Sequence, residues 1–360
     1  MTPRYYWIFA GSYAPAAEEG VHVLRFDAVK GTLERVGGLA GIDNPSYLAV
    51  DGSRGFVFTV SETADEGGVV GLRFDRVAER LSLGFGGARS TRGAHPCHLA
   101  LDERGEWLVA ANYSGGSVCV FPVAADGTIG PMSDFREHLG RSVRDDRQNR
   151  PHPHSVNRVP GCGSWWLVPD LGADRIVVYR LDSASGTLAQ HGAAQSTAGG
   201  GPRHLAFHPA MQYVYVINEL ASTVTVYRFD ASAGELARVQ ELSALPYGVD
   251  GVRSTCAHIE LSADGAFAYG SNRGHDSLAV FRVAADGCLQ PLGHVPTHGR
   301  TPRNFTVIPA ADGGRYVLVA NQDSDEIVVL KAPSDEGIPV ATGVSLRLRK
   351  PVCLVPLHMN

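Results

Sequence analysis

Between His95 and Val123 the chain reads HPCHLALDERGEWLVAANYSGGSVCVFPV. Three apolar segments, HPCHLAL, WLVAAN and SVCVFPV, are separated by two short turns, DERG and YSGG. Alternation at period two, β-branched and aromatic side chains, and Gly- or Asp-containing turns predict three short antiparallel strands. No stretch of the chain carries the 3.6-residue periodicity of a long amphipathic helix.

The same phrase returns along the chain. NPSYLAVDGSRGFVFTVSE begins at Asn44, HPHSVNRVPGCGSWWLVPDL at His152, GPRHLAFHPAMQYVYVINEL at Gly201, TCAHIELSADGAFAYGSNR at Thr255 and TPRNFTVIPAADGGRYVLVANQ at Thr301, with a fragment KPVCLVPL at Lys350. Aligned, Pro45, Pro96, Pro153, Pro202, Cys256, Pro302 and Pro351 share one column, at intervals of 46 to 57 residues and a mean of 51. A polar column, Ser61, Asn112, Asp170, Asn218, Asn272 and Asn321, closes the second strand of each unit. A third strand and a weaker fourth follow.

A chain of 360 residues holds seven such units. Four-stranded antiparallel units in that number predict an all-β fold, the seven-bladed β-propeller, in which radial repetition leaves only short protected edges. The fragment from Pro351 supplies only a first strand, while Tyr6–Ser12, Val21–Phe26 and Leu33–Leu39 supply the other three in phase. The two termini are therefore expected to share one blade and close the ring, so residues 1–360 read as one propeller domain. Gly and Pro, 63 of 360 residues, punctuate the strands.

Composition narrows the function. The net charge is -5 and no block of like charge could track a phosphate backbone, so nucleic acid is not an expected partner. No apolar run approaches the roughly 20 residues of a membrane span, and no secretory leader is read at the N-terminus, so a cytoplasmic location is expected. The six cysteines form no CxxC pair and read as reduced, buried thiols. Oligomeric state is left open.

In an antiparallel blade the residue after the column proline and the residue after the column Asn meet on one face. Purely structural positions should look alike from blade to blade, and these two columns do not. The first reads Ser46, Cys97, His154, Arg203, Ala257, Arg303 and Val352; the second Glu62, Tyr113, Leu171, Glu219, Arg273, Gln322 and Tyr13. Charge concentrates in blades three to six, as His154, Arg203, Glu219, Arg273 and Arg303. Several guanidiniums around one carboxylate and one imidazole suit a small anionic substrate and general-base chemistry.

A neighbouring column, His98, His204 and His258 beside Tyr47 and Asn304, predicts a repeated hydrogen bond to the adjacent blade. The segment Pro131–Arg150, rich in Arg, leads to the His154 mouth and is read as a surface insert that could act as a lid, adding Arg147 or Gln148 to the pocket. His152-x-His154 has metal-ligand spacing, but no second pair completes a zinc set. No GxSxG elbow, P-loop or dinucleotide fingerprint is present. Neither metal nor cofactor is expected.

RPHPHSV around His154, GPRHLAFHP around Arg203, NEL at Asn218–Leu220, SNR through Arg273 and TPRNF around Arg303 resemble, in order and spacing, the seven-bladed propeller lactonases. That family includes the bacterial cytosolic phosphogluconolactonase and the fungal carboxymuconate-lactonising cyclase. The resemblance implies that His154, Arg203, Glu219 and Arg273 form the active site, with Arg303, His152, Arg147, Gln148 and Asn218 expected to contact substrate. Members with these motifs hydrolyse lactones or form them; the first reading here is hydrolysis of a sugar-acid lactone, foremost 6-phosphogluconolactone of the pentose phosphate pathway, with Glu219 or His154 activating water and Arg203 and Arg273 stabilising the oxyanion. Three other readings stand beside it: a lactonising cyclase with the same residues, a non-catalytic binding propeller, and a metal-dependent lactonase using Glu62 and Glu219.

Overall fold

The stretch that opens the sequence folds as three strands of one sheet, Pro96–Leu101, Trp107–Asn112 and Ser117–Pro122, with Asp134–Glu137 as the fourth and outermost. The computed structural model describes residues 3–84, 86–210, 212–249 and 253–359. Its strands fall into seven antiparallel sheets, each the blade of a β-propeller, and the one helical segment among the described residues is the 3₁₀ turn Gln322–Ser324. Seven apolar clusters lie between the sheets, each drawing side chains from two adjacent blades. Seven interfaces for seven blades require a closed ring. Closure runs through the seventh blade, where Pro351–His358 pairs with Tyr5–Ser12, followed by Val21–Asp27 and Thr32–Leu39.

Two local features position the site. The first is a β-bulge at the residue after the column proline. Pro202 pairs with Asn218 but His204 with Ile217, leaving Arg203 outside the ladder; Cys97, Arg303 and Val352 are left out in the same way in their blades. An unpaired bulge residue is free to aim its side chain away from the pleat, here toward the central channel. The second is the polar column. Asn112, Asn272 and Asn321 donate from Nδ2 to the carbonyls of Thr91, Ala244 and Thr297, which pins each blade to the chain segment entering it.

Two expectations are corrected. The segment 131–150 is not wholly an insert, because Asp134–Glu137 completes the second blade and only residues 138–150 cross as a strap toward the mouth. In the third blade the innermost strand shrinks to Asn157–Arg158, preceded by a single bridge between Pro153 and Asp170. Pro151 and Pro153 lack the N–H groups a longer ladder needs.

Candidate active site

Glu219 follows the strand Tyr213–Asn218, opposite the bulge that carries Arg203. Its carboxylate is engaged on both oxygens. Oε2 accepts from Arg203 Nε at 3.0 Å and lies 2.9 Å from Arg273 Nη2, and Oε1 accepts from Arg147 Nη2 at 2.7 Å. The guanidiniums are anchored in turn: Arg203 donates to the Ala257 carbonyl, Arg273 to that of Cys256 at 2.8 Å, and Arg147 to the Tyr113 hydroxyl at 3.0 Å. Burial would raise the Glu219 pKa, but Arg273, Arg203 and the other charges facing it prevail and hold it well below the usual carboxylate range. A carboxylate so clamped is a weak proton acceptor.

His154, buried on the neighbouring blade, behaves oppositely. Desolvation, with Arg203 close by, pushes its imidazole well below its ordinary value, so it is neutral at pH 7. Nδ1 lies 3.7 Å from Cys97 Sγ, and among the described residues Nε2 has no protein partner. The Cys97 thiol donates to the His154 carbonyl at 3.3 Å and is pushed up by burial. It is not a ready nucleophile.

These groups surround a cavity of about 370 Å³ lined by Glu62, Cys97, Tyr113, Arg147, His154, Glu219, Arg273 and Arg303, among others. A recess of about 10 Å³, which shares Glu62, Cys97 and Arg303 with the cavity, is lined by Arg203 and His204. Among the described residues Arg303 makes no hydrogen bond or ion pair; its guanidinium sits 5.2 Å from the Tyr13 ring centroid. Four guanidiniums face two carboxylates, an excess of positive charge around a neutral imidazole. Such a cavity accommodates an anion.

Of the residues singled out from sequence, the structure brings His154, Glu219, Arg273, Arg303 and Arg147 to the cavity. Arg203 lies behind Glu219, 2% exposed, and props the carboxylate instead of facing the cavity. Three expected substrate contacts belong to the scaffold. His152 bonds the Tyr113 carbonyl through Nδ1 at 2.8 Å and stacks on the Tyr113 ring. Gln148 donates to the Leu171 carbonyl and accepts from the Arg144 N–H. Asn218 is fully buried and donates to Thr223 and Thr225, one more member of the structural column.

Sequence reading passed over Tyr113, Tyr13 and Cys97 as site residues and named Glu62 only as a metal ligand, although all four stand in the two variable columns and Glu62, Tyr113 and Cys97 line the cavity; attention to charge in blades three to six hid them. Beside the cavity, the histidine column bonds between blades: His98 Nδ1 accepts from Val156 N, and the Nδ1 atoms of His204 and His258 are 2.9 Å apart. Among the described residues no three His, Cys, Asp or Glu side chains are gathered as a metal site.

The comparison with known families meets this geometry over almost the whole chain. Residues 7–356 match the family model described as lactonase, 7-bladed beta-propeller. The chain belongs to the seven-bladed β-propeller lactonase family. As a lactonase, it is 31% identical over 352 residues to the 6-phosphogluconolactonase of Bacillus subtilis (strain 168), covering 97% of this chain and 98% of that one. It is 37% identical over 277 residues to the 6-phosphogluconolactonase of Pectobacterium carotovorum subsp. carotovorum (strain PC1), covering 74% of this chain and 78% of that one. Among solved structures, the periplasmic gluconolactonase of Pseudomonas aeruginosa superposes with a TM-score of 0.89 at 32% identity, over 98% of this chain and 99% of the other. Among the described residues, no helix of this lactonase is long and apolar enough to cross a membrane.

Proposed function

We propose that the lactonase hydrolyses a sugar-acid lactone, with 6-phosphogluconolactone as the leading substrate and a place in the pentose phosphate pathway. The observation that carries this reading is the pairing of a neutral, cavity-facing His154 with a Glu219 already held by three guanidiniums. His154 accepts a proton from water as the water oxygen bonds to the lactone carbonyl carbon. Arg147 and Arg273 stand where they can donate to the oxyanion that develops. The ring C–O bond then breaks, and the imidazolium returns the proton to the departing ring oxygen.

Glu219 acts through the arginines, fixing their direction and balancing part of their charge. It is a positioning residue and not the base. Arg303, which among the described residues makes no hydrogen bond or ion pair and rests only against the Tyr13 ring, is the anchor for an anionic group on the substrate. The six free cysteines, four of them buried, suit a reducing cytoplasm.

The test is a lactonase assay on freshly prepared 6-phosphogluconolactone and on its unphosphorylated analogue, corrected for spontaneous hydrolysis. A preference for the phosphorylated lactone supports the leading reading. Turnover of the unphosphorylated lactone alone moves the substrate, and no rate above background on either returns the question to a cyclase or a binding propeller.

A further inference from the structure

The two carboxylates of the cavity are held by different chemistry. Glu219, on the fourth blade, is surrounded by guanidinium groups. Glu62, on the first blade, receives only hydroxyls: Tyr13 Oη at 3.3 Å from Oε1 and 3.1 Å from Oε2, and Ser46 Oγ on Oε2. Among the described residues it forms no ion pair. Ser46 and Glu62 occupy in their blade the same two columns that Arg203 and Glu219 occupy in theirs. The molecule has thus placed a hydroxyl–carboxylate pair where the other side of the ring has a guanidinium–carboxylate pair.

A carboxylate has about four acceptor positions, and Oε1 carries only the longer arm of the Tyr13 bond. Its remaining capacity belongs to a group that lines the cavity. Hydroxyl groups are donors to such an oxygen, whereas a carboxylate or phosphate brought to it is repelled. Arg303, beside Tyr13, offers the opposite preference within the same cavity.

We infer that Glu62 determines substrate class by accepting hydroxyl hydrogens of a polyhydroxylated lactone ring, leaving the anionic end of the substrate to Arg303. This rests on the lactonase reading and adds what that reading lacks, a residue that separates sugar lactones from lactones bearing carboxylates on the ring.

The experiment compares kcat/KM for δ-gluconolactone and δ-valerolactone, the same six-membered ring with and without hydroxyls, in the wild type, Glu62→Gln and Glu62→Ala. The wild type favours the hydroxylated ring. Glu62→Ala lowers that preference about tenfold to a hundredfold, as expected for one or two charge-assisted hydrogen bonds, and Glu62→Gln, which keeps an acceptor oxygen without the charge, falls between. Circular dichroism and thermal melting establish that each variant is folded; should Glu62→Ala fail to fold, Glu62→Gln alone decides by the same ratio. A folded variant with an unchanged ratio, or a wild type indifferent to the hydroxyls, overturns the inference while leaving lactone hydrolysis intact. A wild type inactive on every lactone removes both.

Discussion

Arg147 Nη2 lies 2.7 Å from Glu219 Oε1, so a strap leaving the second blade supplies the third cation around a carboxylate of the fourth. The strap is fastened elsewhere as well, by His138 to Asp170 at 2.7 Å and Ser142 to Asp174 at 2.5 Å. Removing Arg147 therefore alters the site more than the path of the strap. Arg147→Ala is expected to lower kcat/KM about tenfold to a hundredfold, the size of a lost charge-assisted contact, with a small change in melting temperature. A fall in melting temperature matching the loss of activity would make Arg147 a structural residue.

His154 and Glu219 separate base from positioner. His154→Ala is expected to reduce kcat by about a hundredfold to ten-thousandfold, the usual range for a general base, with the fold intact. Glu219→Gln leaves Arg203, Arg273 and Arg147 without their shared counter-charge, so it should lower stability as well as rate. Steady-state kinetics with parallel thermal melts distinguish the two. Full activity in both variants would remove the assignment.

Arg303 is expected to read charge. Arg303→Gln should reduce the preference for a phosphorylated over an unphosphorylated lactone about tenfold or more, chiefly through KM. An unchanged preference would place the phosphate elsewhere.

The pH dependence follows from the depressed histidines. Because His154 is held well below 6.5, kcat/KM should stay level as pH falls through 6.5 and break only in stronger acid. Stability behaves otherwise. His22, lowered to about 4 by burial and Arg35, and the buried His98, His154 and His204 resist protons that the unfolded chain takes up near 6.5. The unfolded state then binds more protons, so stability is undiminished above 6.5 and lost progressively below it. The contribution of Glu219 persists above the unfolded carboxylate value of 4.5 and is lost only as pH falls from there toward its lower folded value. Melting temperatures between pH 8 and about 3.5, with a pH–rate profile over as much of that range as the enzyme stays folded, check both limbs.

Two glycines with the same backbone should respond differently. Gly234 and Gly161 have φ of 68° and 66°, but a Cβ at Gly234 would approach Trp165 to 2.4 Å, and one at Gly161 meets nothing within 4 Å. Gly161→Ala should cost about 1–2 kcal/mol from the left-handed backbone alone, and Gly234→Ala measurably more through the displaced indole. Denaturant melts give both values.

The ring and its seven units were legible because strand alternation and turn chemistry repeat with the same period, so even the split seventh blade could be assembled from both ends. The site was partly legible for the complementary reason: Arg203, Glu219, Arg273 and Arg303 interrupt columns that a scaffold would keep uniform. What sequence could not supply was direction. Gln148 and Asn218 are as polar as Arg147, yet only pairing geometry shows that their amides turn inward to Leu171, Thr223 and Thr225. The clamped state of Glu219 was equally hidden, since it depends on three arginines from three separate segments of the chain.

The seventh blade also sets a timetable. Its innermost strand, Pro351–His358, is synthesised after the 28 other strands described, while its partner Tyr5–Ser12 is synthesised first. From the ribosome onward, Tyr5–Ser12 therefore exposes an unpaired edge for nearly the whole of translation, the kind of edge that invites wrong partners. A chain that stops before residue 351 lacks the innermost strand of the closing blade, and its ring stays open.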